Sequence, residues 1–243
     1  MTDKLQPIDE SWSTALAVVA HPDDLEYGAA AAVTKWRAQG KRVVYCMVTS
    51  GEAGIDSMPP EQAGPLREQE ERSAAAVVGV ETVEFLGYPD GTLEYGLPLR
   101  RDIARLIRRH RPEVLITANY DQAWEGGWLN QADHVAAGRA AVDAVRDAGN
   151  RWVFRELLSE NLEPWQGVRM VLVAASPRAA HGVDISDHFE TGIKSLQAHA
   201  AYLAGLGNGP VNEHMVFLEQ WARTTGERLG CRYALSFEQL NLG

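Results

Sequence analysis

Apolar residues recur along this chain with two alternating periods. Short apolar runs rich in β-branched residues, at Thr14–Ala20, Arg42–Thr49, Thr82–Leu86, Glu113–Thr117 and Val168–Ala175, have the length and composition of buried strands. Between them lie stretches with helical spacing: Gly28–Gln39 closed by Gly40, Leu66–Val78 closed by Gly79, Pro98–His110 and Ala132–Ala148. The pattern predicts two later helices, near Glu190–Leu203 and Asn212–Leu229, and a last strand near Arg232–Phe237. In Pro98–His110, Leu99, Ile103, Leu106 and Ile107 share one face. The arginines of Arg100–Arg111 then belong to the solvent face, the alternative being an anionic partner. Strand alternating with helix predicts an α/β fold with a mainly parallel sheet and helices on both faces. The loops Ser50–Pro65 and Asn119–Gln131 are long for such a fold, and long loops at strand ends are where sites collect.

Length and composition narrow the picture. The 243 residues suit a single domain with one core, taken here as 1–243. No apolar run approaches the ~18 residues a membrane span needs, and the charged N-terminus lacks the apolar segment of a signal peptide, so membrane insertion is not expected. The net charge of −10 repels phosphate backbones, which argues against nucleic acid as a partner. Only two cysteines occur, Cys46 within an apolar run and Cys231 far along the chain; a reducing, cytoplasmic setting fits them. The oligomeric state is left open, a homo-oligomer included.

Candidate chemistry sits just past the first strand, in Ala20-His21-Pro22-Asp23-Asp24. Ligands of open α/β sheets bind beyond the carboxyl ends of strands. Pro22 fixes its own φ and keeps His21 out of helical conformation, so a stiff turn presents His21 and Asp24 toward one point. An imidazole and a carboxylate on a rigid support suit a metal. A turn with a capping aspartate is the other reading. A second motif, Asn130-Gln131-Ala132-Asp133-His134, follows the fourth strand and its long loop, with Asp133 as a candidate helix cap and His134 in the first turn. Two histidines and one carboxylate leave a coordination position open, as catalytic zinc sites do.

These motifs resemble those of the PIG-L/LmbE-like zinc N-deacetylases. The likeness rests on AHPDD at 20–24, TSGEAG at 49–54, the Arg67/Glu70 helix, FLGYPDG at 85–91, ADHVAAG at 132–138, and VDIS at 183–186 with the later Lys194 and His199. It spans most of the chain, in order. The resemblance implies a Rossmann-like sheet, a Zn²⁺ ion and a small N-acetylated substrate, usually an N-acetylglucosaminyl compound. It makes His21, Asp24 and His134 the zinc ligands and Asp23 the general base. Glu52, Arg67 and Asp90 match positions lining the sugar cleft, although Glu52 and Arg67 could equally form structural ion pairs. One departure stands out: the family's second motif is usually His-Pro-Asp-His, and here its first histidine is Gln131. Gln131 can donate a hydrogen bond to an oxyanion but carries no charge.

The expected activity is metal-dependent hydrolysis of an N-acetyl group. A non-catalytic metal-binding module of the same fold and a non-haem iron enzyme are the competing readings. Retention of Asp23, which a metal-holding module does not need, argues against the first. The α/β pattern and the His-x-x-Asp spacing argue against the second. Among the seven histidines, His181 is assigned part of the role vacated at Gln131, because it falls in the loop Ser176–Gly182 after the fifth strand; the other reading is a solvent-exposed loop histidine, and His199 is the next candidate.

Overall fold

The computed structural model describes residues 4–206 and 211–242. The strands are β1 (Gln6–Pro7), β2 (Thr14–Val19), β3 (Arg42–Met47), β4 (Thr82–Phe85), β5 (Val114–Ala118), β6 (Met170–Ala174), β7 (His181–Asp184) and β8 (Ala234–Asn241). They form one sheet in the order β1-β7-β8-β6-β5-β2-β3-β4. Every pairing is parallel except those of β8, which runs antiparallel to both β6 and β7. The helices are α1 (Asp24–Gly28), α2 (Ala30–Ala38), α3 (Pro60–Val77), α4 (Leu97–His110), α5 (Ala132–Gly149), α6 (Glu156–Ser159), α7 (Phe189–Gln197), α8 (Ala200–Gly205) and α9 (Val211–Leu229).

Side chains alternate across a strand, and here both faces are buried. Along β2, Ala15, Ala17 and Val19 join the core that includes Trp36, Phe189 and Phe237. Leu16, Val18 and Ala20 join the opposite core, built with Leu99, Ile103 and Ile107 of α4 and the alanines of α5. The expected α/β architecture, with helices on both faces of a mainly parallel sheet, is what the chain adopts.

Several local expectations are corrected. The helix expected over Gly28–Gln39 starts at Asp24 and is interrupted at Ala29. The helix expected from Leu66 begins at Pro60, because Pro at a first helical position has no amide to satisfy. The helix expected over Glu190–Leu203 breaks at Ala198–His199. Arg108 lies inside rather than on the solvent face: it is buried, and its guanidinium donates to carbonyls of Asp147, Ala148, Asn150, Val153 and Leu162. His181 is not in a loop but opens β7, a strand too short and too polar at its ends to show in the apolar pattern.

This topology positions the site. From β2 the chain moves outward through β3 and β4, then returns to add β5 and β6 on the other side of β2. The switch point therefore lies between β2 and β5, where the loops beyond their carboxyl ends diverge and leave a crevice.

Candidate active site

Both motifs reach that crevice. Beyond β2 the chain turns sharply, with Asp23 at φ 98°, a left-handed conformation that non-glycine residues adopt only under constraint. Asp24 follows as the first residue of α1, and its Oδ2 accepts from the His21 amide at 2.9 Å. Beyond β5, the loop from Asn119 delivers His134 in the first turn of α5. Three side chains then meet. His21 Nδ1 is 3.2 Å from His134 Nε2, His134 Nε2 is 3.0 Å from Asp24 Oδ1, and His21 Nδ1 is 3.8 Å from Asp24 Oδ2.

The outward nitrogens of the two rings are occupied. His21 Nε2 faces Asp90 Oδ1 at 3.0 Å and Asp133 Oδ2 at 3.4 Å. His134 Nδ1 lies 2.9 Å from Asn130 Oδ1. Carboxylate and amide oxygens only accept, so both outward nitrogens carry hydrogen. In neutral rings, the facing nitrogens are then two lone pairs 3.2 Å apart beside a carboxylate. That arrangement requires a positive charge between them. Without a metal, a proton supplies it: burial disfavours the His21 imidazolium, but Asp133, Asp24 and Asp90 outweigh burial and raise it to about 12. His134 is raised too, Asp24 overcoming burial, and Asp24 is held low by His134 against the same burial.

The donor set fits zinc. Tetrahedral zinc with ligand bonds of 2.0–2.1 Å has ligand atoms about 3.3 Å apart. The His21 Nδ1–His134 Nε2 spacing of 3.2 Å and the His134 Nε2–Asp24 Oδ1 spacing of 3.0 Å lie close to that value, and one ligand atom from each of the three residues lies within 4.8 Å of the others. Asp133 acts behind His21 and does not cap α5, whose cap residue is Gln131. Its carboxylate accepts from the Gly91 and Leu93 amides at 2.7 and 3.1 Å, which fixes it against the His21 ring. Ligating histidines commonly lean on such a carboxylate.

Asp23 is buried, and Arg67 reaches its Oδ1 at 2.9 Å. Burial pushes its carboxyl up to about 6, Arg67 opposing and Asp24 adding to the rise. Its amide donates to Glu71 Oε2 at 3.3 Å. Arg67 also donates to Gly51 O at 2.9 Å and to Pro22 O, and stacks 4.0 Å over the Tyr202 ring. A Cβ at Gly51 or Gly54 would collide with this guanidinium, so the glycines of TSGEAG make room for it.

The remaining expected site residues fall in three places. Glu52 accepts from the Asp90 amide at 2.9 Å, and Asp90 in turn accepts from Ala53 N at 2.8 Å, so these two loops brace each other. Arg67 and Asp90 are therefore engaged inside the protein, not free in an open cleft. Gln131 is exposed and stands as the cap residue of α5, three positions before His134. His181 is not brought to the cluster. It pairs level with Ala174 through Phe237, but β7 lies four strand spacings from β2, roughly 19 Å at ~4.8 Å each. The order of the sheet, which inserts β8 between β6 and β7, removes it. His199 is buried beneath Asp23, 3.6 Å from both Glu26 and Glu71.

Sequence reasoning missed Asn130, Asp133 as a partner of His21, and Glu71. A signal existed for Asn130: a ligating histidine needs an acceptor for its second nitrogen, and Asn130 stands one helical turn before His134.

The model of the GlcNAc-PI de-N-acetylase family, PIG-L, matches residues 16–145. The chain belongs to the PIG-L family. Within the family it is 28% identical to the diacetylchitobiose deacetylase of Thermococcus kodakarensis, over 76% of this chain and 68% of that protein. The structure of the N,N'-diacetylchitobiose deacetylase of Pyrococcus horikoshii superposes with a TM-score of 0.86 at 23% identity, covering 96% of this chain and 85% of the other. The 4-carboxy-2-hydroxymuconate hydratase GalB of Pseudomonas putida KT2440 superposes with a TM-score of 0.77 at 18% identity, over 95% of this chain and 97% of its own. At those identities the two superpositions establish the fold. A PIG-L fold is thus compatible with more than one reaction, and the site has to choose between them. Among the described residues, no helix is long and apolar enough to cross a membrane.

Proposed function

We propose that this PIG-L chain is a zinc-dependent N-deacetylase that hydrolyses the N-acetyl group of a small N-acetylglucosaminyl substrate, with residues 1–243 as one catalytic domain. The observation that carries the reading is the convergence of His21 Nδ1, Asp24 and His134 Nε2 on one point, beside a buried aspartate that is no part of the triangle. A bound zinc ion would polarise the acetyl carbonyl and bring the pKa of a water toward ~7.

The chain's own groups supply the rest. Asp23, its carboxyl raised to about 6, takes the proton from the attacking water and returns it to the departing nitrogen. A positioned base of this kind contributes ~10²–10⁴ in rate. Asp133 and Asn130 hold the two ligating rings in the tautomers that leave the inward nitrogens free. Gln131, the cap residue of α5, donates from its side-chain amide to the developing oxyanion. Acetate and a free amine result. A metal-holding module has no use for an aspartate locked at φ 98° with its own arginine, so catalysis is the better reading. A cytoplasmic setting agrees with Cys46 and Cys231 both being free.

The test combines metal analysis with amine and acetate release from N,N'-diacetylchitobiose and N-acetylglucosaminyl glycosides. Expected are about one zinc per chain and equal yields of amine and acetate. A protein that holds its metal but releases neither product from any of these substrates overturns the proposal.

A further inference from the structure

Resting on the deacetylase reading, we infer that Trp128, with Leu129, is a stacking platform for the part of the substrate beyond the reacting sugar, and that this part is an uncharged ring rather than an anionic group. The two side chains are 76% and 86% exposed, adjacent, and on the loop that delivers His134. A lone exposed apolar residue is ordinary, but adjacent exposed Trp and Leu on a loop whose Trp124 and Asn130 contact His134 mark a surface meant to be covered.

The loop is built to hold them there. Residues 122–130 form a small hairpin in which Ala123 bridges Leu129, Asn130 N donates to Gln122 O at 2.9 Å, and Trp124 N donates to Trp128 O at 2.8 Å. Its tip, Gly126-Gly127, has both φ values positive, at 86° and 83°, which lets the chain reverse tightly. Side-chain amides fasten its base: Asn119 Nδ2 donates to Ala123 O, and Asn130 Nδ2 to Asn119 O and Asp121 O. The same Asn130 holds His134. Trp124 lies edge-on to the His134 ring, centroids 5.8 Å apart. Trp128 is thus one backbone hydrogen bond from a residue that touches a proposed zinc ligand.

Charge selects the occupant. The loop offers Asp121 and Glu125 but no cation. The arginines seen to bond to the loops around the site are spent on carboxylates: Arg67 on Asp23, Arg178 on Asp121 and Glu238, and Arg100, which also reaches the Tyr95 hydroxyl, on Asp147. Asp121 and Glu125 on this loop, in a chain whose net charge is −10, disfavour a phosphate or carboxylate aglycone. An indole face against the apolar face of a pyranose, or of another neutral ring, is the contact the loop can make.

The experiment measures binding apart from turnover. Asp23→Asn protein is titrated calorimetrically with N,N'-diacetylchitobiose and with N-acetylglucosamine, alone and combined with Trp128→Ala or Trp128→Phe. Trp128→Ala is expected to weaken the disaccharide about tenfold and the monosaccharide less than twofold, with Trp128→Phe restoring most of the loss. In the wild-type background the same change raises KM for the disaccharide and leaves kcat within twofold. Equal disaccharide affinity with and without Trp128 overturns the inference, as does equal weakening of both sugars. A shift to a smaller species on sedimentation of Trp128→Ala also overturns it, because Trp128 would then be covered by a second copy. Absence of acetate release by wild-type protein defeats the deacetylase reading instead, and the titrations tell the two failures apart.

Discussion

Replacing Arg67 by methionine separates two roles for this residue. As a cleft residue it would bind substrate, and its loss would lower kcat/KM and nothing else. As the structure has it, the residue is 2% exposed and ties α3 to two segments, the turn at Pro22-Asp23 through the Pro22 carbonyl and the Asp23 carboxylate, and the loop at Gly51 through its carbonyl. Arg67→Met keeps most of the length and removes every donor. Asp23 is left as a buried carboxylate without its cation, and two buried carbonyls lose their partners. Removing one member of a buried pair costs about 3–5 kcal/mol. In a chain of this size each kcal/mol moves Tm by ~2–4 °C, so a fall of roughly 10 °C is expected. The charge on Asp23 causes most of this, so the loss has a pH signature. Its folded pKa, already raised by burial to about 6 from 3.8, rises further without Arg67. A raised carboxyl binds its proton more tightly in the folded state, so stability falls as pH rises from the unfolded value through the folded one. Urea unfolding of metal-free protein at pH 5 and pH 7.5 should therefore show a larger deficit at pH 7.5. An Arg67→Met protein with wild-type Tm at both pH values and only a reduced kcat/KM would refute the reasoning and restore Arg67 to the substrate cleft.

Three further outcomes follow from the same geometry. Asp133→Asn should weaken zinc binding ~10–100-fold, as loss of a carboxylate behind a ligating histidine does, measured by competition with a chromogenic chelator; affinity within twofold of wild type in a folded variant would show that Asp90 alone orients His21. Asp23→Asn should keep the metal and lose at least ~10² in kcat, and in metal-free protein it should also flatten the decline in stability between pH 4 and pH 6 that the raised Asp23 carboxyl produces; a kcat within threefold would remove Asp23 from proton transfer. His181→Ala should leave kcat unchanged, since the sheet order holds β7 apart from β2, and a tenfold loss would mean that His181 reaches the site by a route this sheet does not provide.

What this chain declares locally, it declares in its sequence. The runs from Thr14 and Arg42 are strands because both their faces are apolar, and α4 is a helix because Leu99, Ile103, Leu106 and Ile107 recur at helical spacing. His21 and Asp24 are coupled by a turn only three residues wide, so their convergence is written into AHPDD itself. Three matters needed the tertiary structure. His134 lies 113 residues beyond His21, and only the switch of strand order between β2 and β5 brings the two rings within 3.2 Å. Arg67 and Asp90 are polar residues of the kind that line clefts, and whether such a group faces solvent or a buried carboxylate depends on what packs over it, which no local pattern encodes. His181 turned on an insertion: a strand from the far end of the chain, β8, enters antiparallel between β6 and β7 and carries that histidine away. Periodicity reports which face of an element is buried; it does not report which element becomes its neighbour, because that is settled by the competition among all the apolar faces at once.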